Sequence, residues 1–229
     1  MVKKIVGTGV LLVLALALQA GVKMYTLKSP DGKVKLEVTA GQGIAYSLFY
    51  DGRLLLKPSR IALHTDLPEA DHWENIRITG TKQRHVSETV QAPFYRVKEF
   101  GIECNELELR LNNGFSLLMR AYNDGMAYRF VAGRKGEMTV VEERAEFNFA
   151  DDFEAYIPYS TNPKDPWNMA FQNFYTKAPL TQYNTELPAF LPLTVDAGAV
   201  KLTLLESDLE AYPGMFVCGD GKTPALKGV

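Results

Sequence analysis

From Lys33 onward apolar side chains recur at every second position, a spacing that lines one face of a pleated strand and makes no continuous stripe on a helix. Val34, Leu36 and Val38 face one way, and Lys33, Lys35 and Glu37 the other. Ile44, Tyr46, Leu48 and Tyr50 repeat the pattern and run into Asp51-Gly52, a dipeptide suited to the positive φ of a tight hairpin turn. The clearest stretch follows at 106–131. There Leu107, Leu109 and Leu111 alternate with Glu106, Glu108 and Arg110, Asn112-Asn113-Gly114 turns the chain, and Phe115, Leu117 and Met119 carry the return. A second turn at Asn123-Asp124-Gly125 leads to Met126, Tyr128 and Phe130, which completes an antiparallel meander.

Residues 140–149 and 200–205 continue the alternation, and no window of a dozen residues holds an i, i+3, i+4, i+7 apolar face. The expectation is an all-β chain with almost no helix. Its many strands call for two packed sheets, because one sheet of this size would leave an apolar face in water. Residues 156–192 differ, being rich in Pro, Asn, Thr and aromatics with little alternation, and read as long ordered loops. Loops of that kind on a rigid β scaffold are where binding residues usually sit. No repeat, low-complexity tract or linker divides residues 21–229, so they read as one domain.

Residues 1–20 carry Lys3 and Lys4 and then an apolar run, Val10 to Leu18, that is too short to cross about 30 Å of hydrocarbon. That is the pattern of a secretory signal peptide, with cleavage after Ala17 or Ala20, and it implies a secreted or periplasmic protein that does not span a membrane. An oxidising compartment would permit a bridge between Cys104 and Cys218, the two cysteines. The alternative is two small buried hydrophobes, and nothing local fixes their separation. The formal net charge of -2 gives no cationic face for nucleic acid, which is excluded as a partner class.

Short catalytic signatures are absent: there is no phosphate-cradling Gly loop, no Gly-x-Ser-x-Gly elbow, no His-Glu-x-x-His and no paired CxxC. His64, His72 and His85 stand in polar surroundings and read as surface residues, which gives Ser-His-Asp hydrolysis no support. Carboxylates are plentiful, but a glycosidase acid and nucleophile are recognised by their separation in space. Asp151-Asp152, Glu142-Glu143 and Asp208-Glu210 therefore default to solvated turn residues, and no catalytic residue is assigned. The strongest binding candidate is Trp167, near Phe171, Phe174 and Tyr175. An indole face stacks on the apolar face of a sugar, and the amides of Gln172 and Asn173 would bond its hydroxyls. The competing reading is a satellite cluster of aromatics packed under a long loop.

Taken together, Ser29-Pro30-Asp31-Gly32-Lys33, the hairpin Tyr122-Asn123-Asp124-Gly125-Met126-Ala127-Tyr128-Arg129-Phe130, and Glu206-Ser207-Asp208-Leu209-Glu210 followed by Tyr212-Pro213-Gly214-Met215 resemble the N-terminal domain of glycoside hydrolase family 97. The resemblance covers nearly all of residues 21–229. It implies a large antiparallel β-sandwich of the galactose-mutarotase-like kind, a supersandwich that braces a catalytic (β/α)₈ barrel downstream in the same chain. A barrel of about 250 residues does not fit alongside it here, and residues 223–229 read as the approach to a further segment. The resemblance also implies an oligosaccharide substrate with α-linked glucose or galactose, and a calcium ion to which this domain lends one ligand. The matching position is Gln172, where a glutamine stands in place of the family's glutamate and offers a single neutral oxygen. The implied role is a non-catalytic part of an exported α-glycosidase. A free-standing carbohydrate-binding module is the alternative, and an aldose-epimerase-like enzyme a weaker one.

Overall fold

A computed structural model describes residues 23–209 and 212–229. The signal-peptide reading of residues 1–20, and Glu210, lie outside the described residues. Fifteen strands and one short 3-10 turn make up the regular structure there, so the all-β expectation holds. The chain forms two compact units, one of residues up to 45 together with 72–136, the other of residues 46–71 together with 137–229.

The first unit is a two-layer antiparallel sandwich. One layer holds β1 (Lys23–Lys28), β2 (Val34–Gly41) and the start of β3 (Gly43–Tyr50). The other is a four-stranded sheet. Its order is β5 (Ile78–Gln91), β6 (Glu99–Leu111), β7 (Phe115–Tyr122) and β8 (Gly125–Ala132), each strand beside its sequence neighbour. Strict alternation on β2 and β7 sends Val34, Leu36 and Val38 from one layer and Leu117 and Met119 from the other into the interior, where all five are buried. The ladder between β6 and β7 sets Leu107 opposite Met119 and Leu109 opposite Leu117, so apolar side chains form rows across the sheet. Gly114 at φ 86 supplies the left-handed residue of the turn between these two strands. Trp73 closes one end of the core, with its ring 6.1 Å from Phe115 and 5.2 Å from Phe130.

The second unit has its own interior. The rest of β3 turns at Asp51 and Gly52, both with positive φ as that dipeptide predicts, into β4 (Arg53–Thr65). β4 pairs with β9 (Val140–Asn148), which pairs in turn with β15 (Ala225–Gly228), and β15 with β14 (Val217–Gly219). Residues 225–228 thus form an interior strand of that sheet, between β9 and β14. A second sheet runs β11 (Thr176–Pro179), β10 (Glu154–Ile157), β12 (Leu193–Asp196) and β13 (Lys201–Leu204). Leu55, Phe149, Ala155, Ile157, Leu193 and Val195 are buried there. β10 to β12 fall inside or beside the stretch read as long loops, where Pro, Asn and aromatic residues interrupt the alternation, whereas β13, of the same length, lies in the alternating run 200–205.

Candidate functional site

Most of the loop character expected over 156–192 falls in residues 158–175, which leave the end of β10 and return as β11. Because those strands pair, with Ile157 opposite Thr176 and Glu154 opposite Pro179, both ends of the loop are fixed to one sheet edge. The outgoing limb is held further. Ser160 N donates to Pro188 O at 2.8 Å, and Phe190 N donates to Pro158 O at 2.9 Å. Asn162 Oδ1 then accepts from the backbone N of Lys164 and of Asp165, which turns the chain toward Trp167.

The aromatic residues of this loop join an unbroken chain of ring contacts. Trp167 meets Phe216 edge to face at 5.1 Å, Phe216 meets Phe190 at 4.8 Å, Phe190 meets Phe171 at 5.7 Å, and Phe171 meets Tyr175 at 5.3 Å. These separations are those of favourable aromatic pairs. Even so, Trp167 keeps 54% of its surface in solvent, and Phe174 keeps 92%. The rings thus pack against one another while Trp167 and Phe174 stay open to solvent. Phe190 and Phe216 were not singled out in the sequence, since neither neighbours Trp167 along the chain.

Gln172 and Asn173 are exposed on the same loop. Asn173 Oδ1 accepts from Phe174 N at 2.8 Å, a local turn that presents the Phe174 ring outward. The arrangement exposes an indole and two amide side chains within one loop. It assembles no acid and nucleophile. Of the candidate carboxylates, Asp152 accepts from Thr181 N at 3.0 Å and Thr181 Oγ1 at 2.6 Å, which caps the turn after β11, and Asp151 accepts from Asp152 N at 2.9 Å. Glu142 is exposed, while Glu143 accepts from Tyr212 Oη at 2.9 Å. Asp208 is exposed, at φ 65. Glu206, which the sequence reading left without a role, accepts from Met215 N at 2.6 Å, and burial pushes its carboxyl above the usual range.

Two of the three histidines lie on the surface as the sequence suggests, and His64 departs from that reading by being half-buried beside a carboxylate. His64 Nδ1 lies 2.6 Å from Asp71 Oδ1 at the half-buried end of β4, and His72 and His85 are exposed. Cys104 and Cys218 are both free thiols, and burial raises both above the usual thiol range. Among the described residues no group of three or more His, Cys, Asp or Glu could hold a metal ion.

An antiparallel all-β sandwich with a long loop, anchored at both ends and rimmed with exposed aromatics, defines the class of this chain as a β-sandwich domain. The particular kind follows from comparison with known proteins. The model of the glycosyl-hydrolase 97 N-terminal family matches residues 27–228, and the chain belongs to that family. It is 41% identical over 209 residues to a retaining alpha-galactosidase of Bacteroides thetaiotaomicron, a match that covers 88% of this chain and 31% of that protein. It is 26% identical over 158 residues to a probable retaining alpha-galactosidase of Streptomyces bingchenggensis, covering 67% of this chain and 24% of that one. The chain thus spans a third or less of the length of these relatives. Among solved structures, a glycoside hydrolase family 97 enzyme in complex with acarbose, from Pseudoalteromonas sp. strain K8, superposes with a TM-score of 0.73 at 19% identity, over 90% of this chain and 31% of that one. A beta-arabinopyranosidase superposes with a TM-score of 0.74 at 20% identity, over 90% and 35%. At those identities the superpositions establish the fold.

Proposed function

We propose that this chain is the non-catalytic N-terminal sandwich of an exported α-glycosidase. It would brace a catalytic barrel and lend the loop 158–175 to the rim of the sugar pocket. The observation that carries the reading is the family match over residues 27–228, joined to a relative of 41% identity in which the matched region is under a third of the polypeptide. Since the relatives named above are a retaining alpha-galactosidase and a probable one, α-galactosides are the first oligosaccharide class to try. In this proposal Trp167 stacks on the sugar, and Gln172 and Asn173 hydrogen-bond its hydroxyls.

Calcium fits this chain poorly by itself. Gln172 is exposed and can offer its carbonyl oxygen, but the ion takes six to eight oxygens and favours carboxylates. Any calcium would draw its remaining ligands from the catalytic domain. The purified chain incubated with aryl α-galactosides and α-glucosides is expected to release no aryl alcohol, and steady turnover would end the proposal.

The exposure of Trp167 favours one further reading, a sugar-binding module that works without its partner. That reading expects saturable quenching of tryptophan emission by α-galactosides, lost in Trp167→Ala; the bracing role expects no saturation without the barrel.

A further inference from the structure

One sulfur ties the loop 158–175 back to its own base. Met169 Sδ lies 3.1 Å from Ser160 Oγ, 3.3 Å from Thr161 N and 3.7 Å from Thr161 Oγ1, and all three are donors. Ser160 is fully buried at the foot of the loop, and its hydroxyl points at this thioether. A thioether is a weak acceptor, so the contact is held by geometry and packing as much as by the hydrogen bonds. Met169 itself is only half-buried, unlike Met119 in the core of the other unit, so small solutes reach it.

We propose that Met169 is an oxidation-sensitive latch, a modification site for peroxide-class oxidants whose conversion to the sulfoxide releases residues 162–175 from the base of the loop. In the step, a sulfur lone pair attacks one peroxide oxygen and the O–O bond breaks. A sulfur–oxygen bond forms, and the departing oxygen leaves as water after taking up a proton. Sulfur loses the two electrons that the peroxide gains. Sulfur has two lone pairs, and a sulfoxide formed on the one at which the donors point places the new oxygen between sulfur and donors. A hydroxyl bonded to that oxygen needs about 2.8 Å of its own beyond the sulfur–oxygen bond, and the 3.1 and 3.3 Å now available cannot hold both. Sulfur must therefore swing outward. Trp167, two residues away in the chain, would be drawn from its edge contact with Phe216.

The test treats the whole chain with graded hydrogen peroxide, follows Met169 and the exposed Met24 by peptide mass spectrometry, and measures thermolysin cleavage within 162–175. Oxidation of Met169 is expected to raise that cleavage about fivefold, in line with loss of a local hold on an opening segment. Methionine sulfoxide reductase should return it to the starting rate. Met169→Leu keeps the apolar bulk without the acceptor or the oxidisable atom, and should be cleaved fast before peroxide and no faster after. The proposal fails if Met169 stays intact at a dose that converts Met24 fully, or if its oxidation leaves cleavage unchanged. It fails equally if Met169→Leu is cleaved as slowly as the untreated parent, or responds further to peroxide.

Discussion

Glu106 sits at the middle of a three-residue row that crosses β5, β6 and β7, opposite Arg84 on one side and Arg120 on the other. Its carboxylate is 5% exposed and accepts from Arg84 Nε at 2.6 Å and Arg120 Nε at 2.8 Å. The hydrogen bond from Arg84 is the largest cause holding its carboxyl below the usual value of 4.5. The ionised form therefore favours the folded sheet. That contribution is complete above the unfolded value near 4.5 and is lost as pH falls through the depressed folded value. Removing the charge leaves two guanidiniums facing each other, though Arg84 is half exposed and solvent screens part of the effect. Glu106→Gln is expected to cost about 2 kcal/mol at neutral pH. Urea titrations at neutral pH and at pH about 3 should show its deficit shrinking on the acid side; an equal deficit at both would remove Glu106 as the cause. In the sequence Glu106 reads as one of three polar residues on the wet face of a strand. What buries it is register with Arg84, twenty-two positions away along the chain, and single-strand alternation does not encode register.

At the scale of elements, β1 ends its sheet and would show unpaired carbonyls along one side. Two amides from the neighbouring layer cap it: Gln83 Nε2 donates to Thr26 O at 3.3 Å, and Asn105 Nδ2 to Lys28 O at 2.9 Å. Asn105→Ala should lower stability by about 1 kcal/mol, and Gln83→Ala by less because its bond is longer; equilibrium unfolding of both decides it. β14 depends on a close approach instead. A Cβ at Gly219 would stand 2.7 Å from Cγ of Tyr183, whose ring is buried and whose hydroxyl donates toward Val217 O at 2.8 Å. Gly219→Ala should cost about 1–3 kcal/mol by displacing that ring, and a melting temperature equal to the parent's would contradict this packing. The strands that are legible, β2, β3, β6 to β9 and β13, show residues of opposite character on their two faces. β5 escaped notice since nearly all of it is exposed, so neither of its faces carries an apolar code. It is a strand because β6 offers it a thirteen-residue partner.

For the molecule as a whole, alternation was enough to establish fold class, and the motifs 29–33, 122–130 and 206–215 taken together were enough for the family. Layer pairing was not readable, because it rests on contacts between distant stretches such as β4 with β9 and β9 with β15. The exposed aromatic rim was half readable for the same reason: Trp167 and Tyr175 share one loop, while Phe190 and Phe216, which support them, arrive from elsewhere in the chain. Non-local pairing on this scale also sets kinetics, since loop closure must precede any contact that offsets its entropy. Refolding from urea should therefore run over milliseconds to seconds or longer, with intermediates, and recovery of most signal within a microsecond temperature jump would contradict the topology. The placement of β9 carries this into synthesis. Its partners are residues 53–65 on one side and 225–228 on the other, so on the ribosome one flank can zip early while the opposite flank must wait until nearly the last of these codons has been read. Between the synthesis of residues 148 and 225 the nascent polypeptide carries a half-finished sheet with an open seam, and shielding that seam falls to whatever chaperone meets it first.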